Sequence, residues 1–301
     1  MNNGFLLQLG GPLQSWGEHS AFNDRDTMAY PTRSGLIGML ASARGIPRAE
    51  AVDGPPDSTP TAFASLRALR FTVRVDRPGT RLRDFHTVGG GYPAHRTLPT
   101  AKGGRRKAEA ATLVSHRHYL ADAFFTVAVT AAPGAADDLL ATCAEALAHP
   151  RWPLHMGRRS CPPGASLLLR AESADPLAEL CAVPLARKLP AGTRGGPTAT
   201  SPAAQVSVGF VSDTPFPSNG SWGSGSSSVS TTLNDEPVRL TARDRIHRAR
   251  PVYTAHRMLP AQNCKGYGAA YLRALDEYLN PASPDLPVTP VMPVMPEGKR
   301  S

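Results

Sequence analysis

Hydrophobic and polar positions recur with two different periods along this chain, and the switches between them outline its elements. The first apolar run, Phe5-Leu6-Leu7-Gln8-Leu9, is short and continuous and is stopped by Gly10-Gly11-Pro12, as a buried strand would be. Leu36, Ile37, Leu40 and Ala43 then recur at helical spacing behind Pro31-Thr32-Arg33-Ser34-Gly35, with Gly45 as the stop; this predicts a helix at about 34–44. From Leu69 to Asp76 the period is two. Leu69, Phe71, Val73 and Val75 alternate with Arg70, Thr72, Arg74 and Asp76, which predicts a strand with one wet face. The pattern lapses over 77–118, a stretch rich in Gly, Arg and His, and returns where Phe125, Val127 and Val129 alternate with Thr126, Ala128 and Thr130. Pro133-Gly134 lead into a helix whose apolar side is Leu139, Leu140, Cys143 and Leu147, and Leu167-Leu168-Leu169 predict a closing strand.

The resulting order, β-α-β, a basic insertion and β-α-β, places the chain in the α+β class. It is the order of a ferredoxin-like unit, whose sheet serves RRM-type domains as an RNA platform. Further on, residues 190–232 are loaded with Gly, Pro, Ser and Thr and predict a flexible loop. Residues 238–259 predict more strands. Tyr271, Leu275 and Tyr278 are spaced for a short helix around 268–279, and the Pro-rich end after Pro281 predicts a mobile tail.

Charge adds a partner class to this outline. The 301 residues carry a formal charge of +9. The excess gathers at Arg74, Arg77, Arg81, Arg83, Arg96, Lys102, Arg105, Arg106, Lys107 and Arg117, opposed there by Asp76, Asp84 and Glu109. A second run is Arg239, Arg243, Arg245, Arg248, Arg250 and Arg257. Clustered guanidinium groups favour polyanions through phosphate neutralisation and counterion release. The start of the predicted helix adds to this, because Arg25, Thr32, Arg33 and Ser34 gather near free backbone N–H groups and the positive end of the helix dipole. That set suits a phosphate, and it equally suits an ordinary capped core helix with solvated arginines.

Other classes recede. Cys143, Cys161, Cys181 and Cys264 are far apart and form no CxxC pair, so neither a zinc site nor a disulfide framework is indicated, and no cofactor is expected. Met1-Asn2-Asn3-Gly4 lacks the basic start of a signal peptide, and no apolar run is long enough to cross a membrane. The expectation is a reduced, soluble, cytoplasmic protein with no membrane partner.

Several separate motifs, in order, carry a family likeness. They are Gly11-Pro12-Leu13-Gln14-Ser15-Trp16-Gly17, then Arg25-Asp26-Thr27 with Pro31 to Gly38, then Leu82-Arg83-Asp84-Phe85-His86-Thr87-Val88. Arg117 to Ala128, Pro150-Arg151-Trp152, Gly157-Arg158-Arg159-Ser160-Cys161-Pro162 and Leu240-Thr241-Ala242-Arg243-Asp244 continue the series. Over roughly residues 4–260 the chain resembles the Cas-five family of RAMP proteins, in the branch found in the type I-E CRISPR Cascade surveillance complex. It departs from that pattern in the Gly/Ser-rich stretch at about 190–232 and in the end from about 261.

The resemblance implies a ferredoxin-like (RRM-like) body with a β-hairpin thumb. It implies a non-catalytic subunit in antiviral defence that caps the 5′ handle of the crRNA and docks on a backbone of Cas-seven type subunits. Such a subunit lies beside the large PAM-reading subunit and meets target DNA only through the complex. The expected domains are 1–170, ferredoxin-like with the thumb at about 77–118; 171–260, a smaller β-rich region; and 261–301, a short helix and tail. The expected RNA contacts are Arg25, Thr32, Arg33 and Ser34 at the helix start, Arg83, His86 and Arg117 on the thumb strands, Lys102, Arg105 and Arg106 (with Lys107) nearer its tip, and Gly157, Arg158, Arg159 and Ser160 in a glycine-rich loop. Asp84 competes as a structural partner for Arg83, and Trp16 and Tyr119 are open between base stacking and core packing.

A catalytic reading stands beside this one. His86, His95, His116 and His118 lie among cations, the ingredients of metal-independent RNA cleavage. Related Cas-five proteins of type I-C systems process precursor crRNA in this way, whereas the branch resembled here leaves cutting to a separate endonuclease.

Overall fold

The computed structural model describes residues 3–17, 20–21, 23–52, 54, 59–90, 93–100, 102–107, 109, 111–189, 204–216, 229–241 and 244–281. The N-terminal unit contains β1 (Gly4–Gly10), α1 (Arg33–Ala43), the one-turn α2 (Ala62–Ser65), β5 (Leu69–Arg77), β8 (Phe124–Ala131), α3 (Leu139–Ala148) and β9 (Leu168–Ser173). Its strands lie side by side in the order β9-β1-β8-β5, all antiparallel. Two β-α-β halves interleaved in this way make a ferredoxin-like sheet. One face packs on α1 and α3, where Phe5, Leu7, Leu9, Ile37, Leu40, Phe71, Val73, Cys143 and Leu147 share one core.

The other face differs from expectation. An open sheet face would be the RNA platform, but here α4 (Pro176–Ala182), the stretch after it and α5 (Gly268–Leu279) cover it. Leu6, Ala128, Leu180, Val183, Leu185, Phe210, Tyr271 and Leu275 form a second core against that face. The predicted wet side of β5 is therefore dry beyond Arg70, which stays half-buried. Thr72, Arg74 and Asp76 are all buried.

Two residues apart on one strand face, Arg74 and Asp76 make a fork-to-fork pair, Nε to Oδ1 at 2.6 Å and Nη2 to Oδ2 at 2.9 Å. Arg74 also donates to the carbonyls of Leu180, Val183 and Pro184, so it latches the covering segment to the sheet. Its charge is spent internally.

Residues 190–232 hold more than a loop. β10 (Gln205–Ser212) lies inside that stretch, with Val206, Val208 and Phe210 buried at period two, and pairs antiparallel with β5. The remainder of the expected loop, 190–203 and 217–228, falls outside the described residues. β11 (Val229–Leu240) and β12 (Arg245–Pro260) follow and pair with each other, and β12 pairs with β10. The sheet thus has seven strands in the order β11-β12-β10-β5-β8-β1-β9. The β-rich stretch expected as a region of its own continues the N-terminal sheet instead.

Between β5 and β8 the chain leaves the sheet. β6 (Thr80–Val88) and β7 (Leu113–Ala121) form a hairpin with nine paired positions, from Thr80 opposite Ala121 to Val88 opposite Leu113. The hairpin so begins and ends three residues later than the expected 77–118. On its far edge β7 is joined by β2 (Leu13–Gln14) and by β4 (Asp24–Arg25), which pairs in turn with β3 (Ser20–Ala21). No helix among the described residues is long and apolar enough to cross a membrane.

Candidate nucleic-acid interface

The register of the hairpin sorts its side chains into two faces, because opposite residues share a face and successive residues alternate. Arg81, Arg83 and Phe85 stand on one face with Leu120, His118 and His116; Leu82, Asp84 and His86 stand on the other with Tyr119, Arg117 and Ser115. Asp84, on the opposite face from Arg83, pairs with His86 at 3.4 Å. His118 pairs with Asp24 at 3.2 Å, and Arg81 pairs with Asp26. Arg83 keeps an exposed, unpaired guanidinium among the described residues. The same register separates His86 from His118, so these two do not converge on one scissile phosphate.

The glycine-rich loop is built as a tight turn, closed by the Met156 N–H on the Cys161 carbonyl at 2.8 Å. Gly157 has φ 89°, and a Cβ there would overlap the Ser15 carbonyl oxygen. Only glycine suits both constraints. The turn sends Arg158 back onto the hairpin. Its guanidinium lies 4.8 Å from the centroid of the Tyr119 ring and donates to the carbonyls of His118 and Arg25, each at 2.8 Å. The Ser160 hydroxyl lies 3.4 Å from that of Tyr119. Arg25 sits in β4, in register with Arg117 of β7.

Loop, hairpin and β4 consequently meet on one side of the molecule. Arg25, Arg159 and Ser160 are exposed there, and Arg117, half-buried, borders them, while Arg83 stands exposed on the opposite face of the hairpin. Lys102, Arg105, Arg106 and Lys107 are exposed towards the hairpin tip, where Arg105 also donates to the Thr97 carbonyl at 2.7 Å. This is a cationic surface with planar donors, suited to phosphate and to unstacked bases.

Two expected contacts, Thr32 and Arg33, go elsewhere. Both are buried, and Ser34 is half-buried. The backbone N–H at Arg33 donates to Asp235 Oδ2 at 2.7 Å, so the anion that the helix start favours is a side chain of β11. The Arg33 guanidinium pairs with Asp213 at 2.6 Å and with Glu236, and donates to the carbonyls of Leu69 and Arg67. With four of its N–H groups engaged and the side chain buried, Arg33 is not presented to a phosphate. Arg158 is also committed to internal partners and positions the loop. Trp16 and Tyr119, open by sequence, are both core.

Phe85, in contrast, carried no expected role. Its ring is 64% exposed on the Arg83 face, 5.6 Å from the His116 ring. An aromatic flanked by Arg and His on a wet strand face is the signal that reading Leu82-Arg83-Asp84-Phe85-His86 for charge alone passes over.

Comparisons with known proteins agree with one another. A model of the family described as CRISPR-associated protein (Cas_Cas5) matches residues 4–253. The chain is 34% identical over 185 residues to the CRISPR system Cascade subunit CasD of Escherichia coli (strain K12), a match spanning 58% of this chain and 75% of that protein. A chain of a CRISPR RNA-guided surveillance complex superposes with a TM-score of 0.73 at 42% identity, over 92% of this chain and 99% of that one. A crystal structure of a Cas protein gives a TM-score of 0.51 at 26% identity, over 88% and 98%.

Proposed function

The chain belongs to the CRISPR-associated Cas-five family, and from that premise we propose that it is a non-catalytic subunit of a type I-E Cascade surveillance complex that holds the 5′ handle of the crRNA. The single observation that carries this reading is the junction of the glycine-rich loop with the hairpin, made by Arg158 on Tyr119 and on the carbonyls of His118 and Arg25. It puts Arg159 and Ser160 beside Arg25 and Arg117, on the hairpin face opposite Arg83, so that one strand of RNA can be gripped by both elements. The covered sheet face supports the same placement, since RNA is left the rim of the sheet and not its surface.

Relatives by name support the choice of complex: CasD is a Cascade subunit, and a surveillance-complex chain superposes over nearly all of this one. The partners follow from that reading: crRNA, backbone subunits of the Cas-seven type, the large PAM-reading subunit, and target DNA through the assembly. Cytoplasmic placement belongs to the same proposal.

The experiment is a binding titration with the full chain, using RNA bearing a type I-E handle and RNA of equal length without it. Arg25→Glu with Arg159→Glu is expected to weaken handle binding more than tenfold and to stop assembly with the other subunits. Unchanged binding in that double variant, or cleavage of precursor RNA by the isolated wild-type chain in EDTA, overturns the reading.

A further inference from the structure

Away from the hairpin, the start of β5 and the strands added to its edge surround a cleft of about 380 Å³, lined in part by Arg33, Arg67, Arg70, Asp213, Glu236 and Arg250. Most of its charges are matched. Arg33 and Arg250 reach Asp213 at 2.6 and 2.8 Å, Arg250 also reaches Asp235 at 2.6 Å, and Arg67 reaches Glu236 at 2.9 Å. Arg33 closes the set on Glu236. Three guanidinium groups thereby answer three carboxylates. Arg70 is the fourth guanidinium, and among the described residues it has no ion pair: it donates to the carbonyls of Arg67 and Leu69, at 3.0 and 3.1 Å.

That arrangement holds a positive charge where it is poorly compensated. Burial, and next the Arg33 guanidinium, lower the pKa of Arg70 from its ordinary value, although Asp213 and Glu236 act in the other direction. An anion entering the cleft would relieve this. Counted over the described residues, the excess is a single charge, which decides between ligand classes. A nucleic-acid strand brings a charge with every nucleotide and would meet the carboxylates of Asp213 and Glu236 at the wall. One carboxylate matches one guanidinium, with two parallel N–H···O bonds available.

We propose that this cleft is a socket for one aspartate or glutamate side chain of a neighbouring protein subunit, with Arg70 as its counter-ion. The proposal rests on the functional reading above, in that it needs a protein partner. It adds a contact on the side of the molecule built from β10, β11 and β12, separate from the RNA-facing hairpin.

The test co-expresses the full chain with the other proteins of a type I-E surveillance complex and a handle-bearing guide RNA, and measures incorporation by native mass spectrometry. Arg70→Glu is expected to lower incorporation at least tenfold and Arg70→Gln several-fold, with Arg70→Lys near wild type. Handle-RNA affinity of the isolated chain is expected to be unchanged in all three. Wild-type incorporation of both Arg70→Glu and Arg70→Gln overturns the socket, and so does a fall in RNA affinity for Arg70→Gln, which would assign the cleft to phosphate. Should these variants misfold, phenylglyoxal labelling of the wild-type chain replaces them: Arg70 is expected to react when the chain is free and to be protected on assembly, and equal reactivity overturns the socket. Failure of the wild-type chain to enter the complex defeats the functional reading, and the socket with it; failure confined to the Arg70 variants does not.

Discussion

The Arg158 guanidinium is held against the Tyr119 ring at 4.8 Å while its N–H groups donate to the carbonyls of His118 and Arg25. A cation on an aromatic face contributes about 0.5–1 kcal/mol, and charge-assisted hydrogen bonds about 1.5–3 kcal/mol. Arg158→Ala is therefore expected to lower stability by about 2–3 kcal/mol in chemical denaturation, and Arg159→Ala by less than about 0.5 kcal/mol. Equal effects would mean that Arg158 does not hold the loop.

Phe85 gives the opposite profile. Its exposed ring contributes little to the fold, so Phe85→Ala is expected to change stability by less than about 0.5 kcal/mol. If a base stacks on it, handle-RNA affinity falls by about 1–3 kcal/mol. Fluorescence anisotropy with labelled RNA checks this, and an unchanged affinity would remove Phe85 from the interface.

At Gly157, shape and charge can be separated. Gly157→Ala meets both the positive φ and the Ser15 carbonyl, so it is expected to displace the loop and weaken RNA binding while leaving the salt dependence as it was. Arg159→Gln is expected to reduce the slope of log affinity against log salt by about 1. Titrations at several salt concentrations distinguish the two.

The buried pair inside the sheet makes a stability prediction. Arg74→Met leaves Asp76 enclosed without a counter-charge and is expected to cost about 3–5 kcal/mol. Arg74→Met with Asp76→Leu is expected to recover much of that loss. Denaturant midpoints decide it; a double variant as unstable as the single one would mean that the latch to Leu180, Val183 and Pro184, rather than the charge, is what matters.

Alkaline pH addresses Cys143. Burial pushes its thiol up from 9.0 to about 11, because the thiolate is disfavoured in the core under α3. The unfolded chain loses that proton first as pH rises, so the folded state is penalised between about pH 9 and pH 11, by up to roughly 3 kcal/mol. Cys143→Ala is expected to be less stable at neutral pH and to show a shallower decline across this window. Parallel declines would contradict the assignment.

Much of the framework was legible. Period-two runs marked β5 and β8, and helical spacing marked α1, α3 and α5 within a residue or so. Two failures share a cause, partners distant in sequence. Arg74 and Asp76 read as a wet strand face because alternation cannot distinguish solvent from an ion pair under α4. Arg33 read as a phosphate ligand because the carboxylate at the helix start lies 202 residues away, at Asp235. β10 was hidden by the Gly/Ser/Thr-rich composition around it, although Val206, Val208 and Phe210 alternate. The glycine-rich loop and the hairpin were recognisable as motifs; that Arg158 binds one to the other was not.

Dependence of Arg33 on Asp213, Asp235 and Glu236 bears on how the chain matures on the ribosome. By Ser173 every strand and helix of the first unit has been synthesised, yet the buried Arg33 guanidinium still lacks Asp213 and Glu236. The full set of partners is in place only once the polypeptide has been made as far as Glu236, in its last quarter.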